Sequence, residues 1–339
     1  MKQHPRTFII AEAGVNHNGD PRLAVQLVVA AKRAGADAVK FQTFKADKLV
    51  SRNAAKAEYQ KRHTAAGESQ LEMLRRLELS VPEHRNLIAQ CERLGIQFLS
   101  SAFDEASADL LDRLGVSLYK IPSGEITNHP YLSHLARKQK PLILSTGMAT
   151  LGEVEAALAA IYSTGNQRVT LLHCVTEYPA PYDEINLAAI STLRHAFRVP
   201  VGYSDHTDGI DIAVAAVALG AAVIEKHFTL DRNLEGPDHK ASLEPEELGR
   251  MIESIRRVER ALGDGIKKPA PCELKNMQVA RKSLVAARRI RAGGRLTRTN
   301  VVAKRPGNGV APYELDKILG RRVAAALEPD EVITWSHLR

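Results

Sequence analysis

An eightfold alternation runs through the first 260 residues and limits what the chain can become. A short β-branched or apolar run, a polar residue or small-residue turn, and a helical stretch recur in that order. The runs fall at 7–13, 38–43, 98–103, 118–124, 141–148, 169–175, 201–206 and 222–229. Strands separated by helical crossovers pair in parallel, because each crossover returns the chain to the same edge of the sheet in the same direction. Eight such units in this length predict an α/β fold of the (β/α)8 TIM-barrel type rather than an open sheet. The helical pattern is clearest at the end, where Leu248, Met251, Ile252, Ile255, Val258 and Leu262 recur at spacings of three and four. Pro245 and the pair Glu246-Glu247 stand at its start, where a missing N–H and negative charge are both tolerated. The apolar run from Ile212 to Ile224 resolves into a helix, a break at Gly220 and a strand. It falls short of the roughly 20 residues a membrane span requires, so no membrane partner is expected. The stretch 44–97 is longer than a simple crossover, is polar, and contains Tyr59, His63 and Gly67. It predicts a lid-like insertion followed by a helix.

The texture changes after Leu262. Gly263-Asp264-Gly265 and Lys267-Lys268-Pro269-Ala270-Pro271 read as a linker. Short β-like runs then follow at 283–287, 301–303 and 332–334, with turns at Ala292-Gly293-Gly294 and Pro306-Gly307-Asn308-Gly309. The expected organisation is a barrel over 1–265, a linker over 266–278 and a small, mainly β domain over 279–339.

Charge follows the same division. From Leu262 onward there are 16 Lys and Arg against 7 Asp and Glu, while the rest of the chain carries 31 and 32, so the net +8 resides in the tail. The tail's basic residues alternate with apolar ones and only Tyr313 and Trp335 are aromatic. That pattern argues against nucleic acid and for a solvated basic face or a small anionic ligand. A composition of 44% hydrophobic and 25% charged residues excludes disorder as the main state. Neither GxGxxG nor GxxxxGK[ST] occurs, which argues against NAD and ATP. Met1 to Arg6 leads into the first run without the apolar core of a signal peptide, and Cys91, Cys174 and Cys272 form no disulfide framework. A cytoplasmic, soluble protein is expected.

In a barrel of this kind the C-terminal strand ends share one site, and three chemical themes collect there. Lys40 and Lys120 lie in strands that should be apolar on both faces. Each is paired with a barrel glutamate, or the two form an anion site with the hydroxyls of Ser101, Ser123 and Ser145; Gly124 and Gly147 would let backbone N–H groups approach the anion. His206 and His227 end neighbouring strands and are candidate ligands of one divalent ion, Mn2+, Mg2+ or Co2+ rather than structural Zn2+; core histidines are the alternative. Glu12 ends the strand beside them and either handles a water or pairs with Lys226 or Lys40. Cys174 is assigned to the core. Together these features suggest carbonyl chemistry with a phosphorylated or carboxylated partner.

At these residues the chain resembles the sialic acid synthase family, which includes legionaminic and pseudaminic acid synthases. The likeness is carried by AEAGVNHNGD (11–20), AVKFQTFKADKL (38–49), YKIPSGEITNHPYL (119–132), STGMAT (145–150), LLHCVTEYPAP (171–181), GYSDHT (202–207), EKHFTLD (225–231), GPDHKAS (236–242), ARKSLVA (280–286) and KRPGNG (304–309). The ending resembles the antifreeze-like, or SAF, domain. The resemblance implies condensation of phosphoenolpyruvate and water with an N-acylated mannosamine-type sugar, giving a nine-carbon 2-keto sugar acid and phosphate. It implies His206 and His227 as ligands of the metal, Mn2+ first, which polarises the aldehyde of the open-chain sugar. It implies Lys40, Lys120, Ser101, Ser123, Ser145 and Ser204 around phosphoenolpyruvate, and Glu12 at the attacking water. Gln42, Glu125, Tyr178 and Asp238 would line the sugar pocket. Arg305 would reach the partner's barrel in a domain-swapped homodimer. Ser101 keeps the hydroxyl of the Thr found in some members, and Thr176, which opens TEYP, stands where some have Asn, which bears on sugar choice.

N-acetylmannosamine, giving N-acetylneuraminate, is the first expected sugar. A 2,4-diacetamido-trideoxyhexose, giving legionaminate or pseudaminate, is the alternative. A Schiff-base lyase with Lys120 or Lys226 as nucleophile and an ice- or polyanion-binding tail are the competing readings from other classes.

Overall fold

The first strand, β1 (Phe8–Gly14), hydrogen-bonds to the last strand of the repeating region, and that pairing closes the sheet. The computed structural model describes residues 6–52, 54–57, 60 and 67–339; Tyr59 and His63, expected in the insertion, lie outside them. Between β1 and the closing strand stand β2 (Ala38–Thr43), β3 (Gln97–Ala102), β4 (Tyr119–Ile121), β5 (Leu142–Ser145), β6 (Val169–His173) and β7 (Val201–Asp205); the closing strand is β8 (Val223–His227). All eight pair in parallel, each with its sequence neighbour, in a closed barrel. The eightfold alternation therefore is the (β/α)8 fold it predicts.

Local chemistry sets the helix ends. In α1 (Pro21–Ala34), Asp20 accepts the Arg22 N–H at 2.8 Å, Pro21 opens the first turn and Gly35 closes the last with φ 91°. Ala24, Leu27, Val28 and Ala31 form its buried face. After β2 come α2 (Ala46–Leu49), α3 (Gln70–Arg76) and α4 (Val81–Leu94). α3 and α4 are each opened by a Ser/Glu capping box. Val15, Phe44, Ala46, Met73, Leu74 and Leu77 form a satellite core under this insertion. The remaining barrel helices are α5 (Glu105–Arg113), α6 (His129–Arg137), α7 (Leu151–Tyr162), α8 (Ala189–Phe197), α9 (Asp211–Ala218) and α10 (Pro245–Leu262). In α10 the predicted stripe is observed: Leu248, Met251, Ile252 and Ile255 are buried and Val258 packs against the same core. A barrel lumen of Ile10, Ala38, Leu99, Ile143, Leu172 and Val223 fills the interior below the strand ends.

Two expected strands are shorter than their apolar runs. β4 stops at Ile121 because Pro122 has no N–H for the ladder, and Ser123–Glu125 turn into a 3-10 helix. β5 stops at Ser145, and Met148 adopts φ 63° with its side chain largely exposed.

The described residues divide into two compact units, one ending at Asp264 and one running from Gly265 to Arg339. In the second, α11 (Leu274–Ala280) occupies part of the stretch read as linker. β9 (Ser283–Ala286) and β10 (Val301–Lys304) pair antiparallel, and α12 (Leu315–Ile318) follows. Leu284, Ala286, Ile290, Leu296, Val301, Val310, Ile318, Val323, Leu327 and Ile333 form the core of this unit. The expected strand at 332–334 is corrected to a single bridge, Val332 to Val285. Its backbone is shared: the Ile333 N–H donates to Leu284 while the Val310 N–H donates to the Ile333 carbonyl, so no two-partner ladder extends.

Candidate active site

Strand parity selects what faces the barrel mouth. On β8 the pairs Ser204↔Glu225 and Asp205↔Lys226 register against β7, so Glu225 and His227 face inward and Lys226 outward. On β1, Glu12 pairs with Lys40 on one side and His227 on the other. These inward residues line a cavity of about 300 Å3 with Gln42, Ser101, Lys120, Ser123, Ser145, Cys174, Thr176, Tyr178, Ser204 and His206; Leu49, Val50, Gln60, Gln70 and Leu74 come from the insertion.

Two lysines and two glutamates, all buried, form the charged centre. Lys40 contacts the Glu12 carboxylate, lies 3.7 Å from Glu225 Oε2 and donates to Ser101 Oγ at 3.0 Å. Lys120 Nζ lies 3.3 Å from Glu225 Oε1, which also accepts the Ser204 hydroxyl at 2.9 Å. Both lysines are thus paired with glutamates, and Lys40 also reaches a hydroxyl, that of Ser101. Burial works against the charge on Lys40, but Glu12 and Glu225 outweigh it and hold the ammonium above its usual range. Burial dominates at Lys120 and lowers it. The carboxylates part company. Burial lifts Glu12 to about 7 despite Lys40, whereas at Glu225 the two lysines overcome burial and hold it at about 2. Sequence reasoning gives Glu225 no role; the signal that finds it is its inward parity beside two inward lysines.

The imidazoles lie next to this centre. His206 and His227 have ring centroids 5.7 Å apart, and Tyr178 packs on both, at 4.3 Å and 5.6 Å. His206 Nδ1 donates to the Val175 carbonyl at 2.5 Å, which leaves Nε2, 3.3 Å from Ser204 Oγ, with its lone pair free. Burial depresses both rings, His206 to about 4 and His227 well below its usual value, so both are in the neutral, ligating form. His227 Nδ1 is buried without a hydrogen-bond partner. Such a pair fits an open divalent-ion site. Among the described residues no cluster of three or more His, Cys, Asp or Glu could enclose a metal, so substrate and water would complete the shell.

Around the lysines, Ser145 Oγ and Thr176 Oγ1 are buried without partners. Ser123 Oγ accepts the Gly147 N–H at 3.0 Å and lies 3.2 Å from Cys174 Sγ. The expected free N–H of Gly147 is therefore committed to Ser123. A Cβ at Gly147 would fall 2.4 Å from Thr176 Oγ1 and 2.8 Å from Ser123 Oγ, which is why glycine stands there.

Two expected residues, Glu125 and Asp238, are not among the side chains that line this cavity. Glu125 lies on the turn after β4, accepts Asn128 Nδ2 at 2.7 Å and is not among the cavity-lining side chains. Asp238 is buried at the edge of the site, its Oδ2 3.5 Å from where a Cβ on Gly14 would stand, a point 3.1 Å from Glu12 Oε1 and 3.5 Å from Gln42 Nε2; burial raises its carboxyl to about 6 despite Lys40. Arg305 is exposed and belongs to the second unit. Lys226, an alternative partner of Glu12, instead pairs with Asp205 at 2.8 Å. That contact also removes it as a free Schiff-base amine.

A cavity that keeps cations buried at a barrel mouth, beside an acid holding its proton near neutrality, belongs to an enzyme acting on anionic substrates. The chain belongs to the NeuB family, matched over residues 27–267, and ends in a SAF domain, matched over 281–339. It is 53% identical over 330 residues to the N,N'-diacetyllegionaminic acid synthase of Campylobacter jejuni subsp. jejuni, covering 97% of this chain and 99% of that one. The protein of the same name from Legionella pneumophila subsp. pneumophila is 50% identical over 335 residues, with 98% and 94% covered. The crystal structure of N-acetylneuraminic acid (sialic acid) synthetase from Leptospira borgpetersenii serovar Hardjo-bovis is 35% identical, with a TM-score of 0.73 over 81% of this chain and 91% of that one.

Proposed function

We propose that the protein condenses phosphoenolpyruvate and water with a 2,4-diacetamido-2,4,6-trideoxyhexose, releasing phosphate and N,N'-diacetyllegionaminate. One observation carries the choice of sugar. The chain stands far nearer two relatives named for that product than the solved synthetase named for N-acetylneuraminate. N-acetylmannosamine, the first expectation from sequence, thereby becomes the second reading.

The residues support a division of labour. Lys40 and Lys120, with Ser101, Ser123, Ser145 and Ser204, would hold the carboxylate and phosphate of phosphoenolpyruvate. The incoming anion exchanges with Glu12 and Glu225 as partner of the lysines, which releases Glu12 toward the reacting carbons. His206 and His227 would hold a divalent ion, Mn2+ first, that supplies Lewis-acid polarisation of the sugar aldehyde. C3 of phosphoenolpyruvate then bonds to the aldehyde carbon, whose oxygen becomes a hydroxyl. Water bonds to C2 and yields a proton to Glu12, a base whose affinity near neutrality suits that transfer. The C2–O bond to phosphate breaks, phosphate leaves with the remaining proton of the C2 hydroxyl, the proton taken by Glu12 balances the one gained by the former aldehyde oxygen, and the 2-keto acid remains. Holding both substrates in line contributes roughly 7–11 kcal/mol to such a step. Gln42, Thr176 and Tyr178, with Asp238 and Glu125, would contact the sugar. Arg305 would reach its N-acyl group from the partner subunit of a homodimer. We place the reaction in the cytoplasm, a reading supported by the scattered cysteines; among the described residues no helix is long and apolar enough to cross a membrane.

The test is phosphate release from phosphoenolpyruvate by metal-stripped protein, with and without Mn2+, run with the diacetamido sugar and with N-acetylmannosamine. Metal-dependent release with the diacetamido sugar is the expected result. Release with N-acetylmannosamine alone reverses the sugar, and release with neither removes the function.

A further inference from the structure

Behind the two imidazoles, on the outward face of the barrel wall, lies an ion pair that the reaction does not use. Lys226 Nζ stands 2.8 Å from Asp205 Oδ2, and both side chains have no solvent exposure. Asp205 Oδ1 accepts the Thr207 N–H at 3.0 Å and the Thr207 hydroxyl at 2.8 Å, and Lys226 also donates to the Thr207 carbonyl at 2.5 Å. The residues on both sides of His206 are thus fixed to the residue preceding His227. Asp205 and Lys226 are also register partners across β7 and β8.

Burying such a pair costs several kcal/mol per ion in desolvation, and well-packed apolar residues of similar volume commonly serve stability as well or better. Stability alone therefore gives little reason for two charges here, whereas geometry does. One contact sets the spacing of two adjacent strand ends whose next side chains are His206 and His227. His206 is further held from the opposite side by the Val175 carbonyl.

We infer that Asp205 and Lys226, with Thr207, are positioning residues that set the separation and facing of the two imidazoles, so that divalent-ion affinity rather than fold stability depends on them. This inference rests on the metal reading of His206 and His227. The experiment measures the melting temperature of the full chain and its Mn2+ affinity, the latter from the free-ion electron paramagnetic resonance signal. The parent is compared with the double variant Asp205→Leu/Lys226→Met, which removes both charges together. The expected result is a melting temperature no lower than the parent's and Mn2+ binding weakened roughly tenfold or more, the scale of outer-sphere effects at metal sites. Equal Mn2+ affinity in the parent and double variant overturns the inference and leaves the metal reading standing; a parent that binds no Mn2+ sinks both. Thr207→Val keeps both charges and removes one donor to Asp205. It is expected to weaken Mn2+ binding by a smaller factor, and unchanged affinity in it overturns the inference even where the double variant does not fold.

Discussion

Glu225 Oε1 lies 3.3 Å from the Lys120 ammonium inside the barrel mouth, and the same carboxylate reaches to within 3.7 Å of Lys40. The cavity thereby supplies its own counter-charge. Glu225→Gln leaves two buried ammonium groups facing Glu12 alone. Removing one partner of a buried pair costs about 3–5 kcal/mol. The variant is expected to melt earlier than the parent without ligand, and phosphoenolpyruvate should raise its melting temperature by more than it raises the parent's. A ligand-free melting temperature equal to the parent's would show that Glu225 does not compensate the lysines.

Glu12 gives a pH signature. Burial raises its carboxyl from 4.5 to about 7 in the folded protein, so between these values the folded chain holds a proton that the unfolded chain has released. The stability Glu12 contributes is therefore complete below pH 4.5 and is lost as pH rises through 7. In metal-free protein, Glu12→Gln should become progressively more stable relative to the parent across that window. Denaturant unfolding at a series of pH values reads the difference directly, and two parallel curves would return Glu12 to an ordinary carboxylate.

Glu12→Gln and His206→Ala should fail in different ways. The first is expected to bind phosphoenolpyruvate with little change and to lower kcat by 10²–10⁴-fold, the usual contribution of a positioned acid or base. The second is expected to lose the response to Mn2+ altogether. Isothermal titration with phosphoenolpyruvate, paired with steady-state rates over a Mn2+ series, separates the two. A fully active Glu12→Gln enzyme removes that residue from the mechanism.

Gly147→Ala tests the cradle beside Ser123. The added methyl meets Thr176 Oγ1 at 2.4 Å, Ser123 Oγ at 2.8 Å and Cys174 Sγ at 3.1 Å, so those side chains must shift. Overpacking of this kind costs about 1–3 kcal/mol. The variant should fold with reduced stability and show a KM for phosphoenolpyruvate raised about tenfold. An unchanged KM would mean that Ser123 and Thr176 lie away from the bound anion.

The barrel was legible because parallel strands buried on both faces must be apolar, which makes a Lys40 or a Glu225 conspicuous against its run. Facing is also readable from parity: Glu12, Lys40 and His227 face one cavity because β1 pairs with both β2 and β8. Pairings between strand ends are harder to read. Nothing in EKHFTLD says that Glu225 meets two lysines while Lys226 meets Asp205, since that follows from the β7–β8 register. Glu125 is the opposite case. Its place in YKIPSGEITNHPYL suggests the pocket, yet Pro122 ends the strand and turns the side chain to Asn128. The run at 332–334 misled for a related reason, because alternate backbone groups of an apolar segment can serve two different neighbours.

The β1–β8 pairing also orders the protein's assembly in time. Glu12 and His227 are neighbours across that seam although they stand at opposite ends of the barrel sequence. A nascent chain emerging from a ribosome can pair its early strands in succession, but it does not bring Glu12 and His227 together until the eighth strand has been made and docked on the first. A chain cut short before the eighth strand therefore lacks the His227 side of the cavity, and the cavity is complete only when the last stave closes the ring.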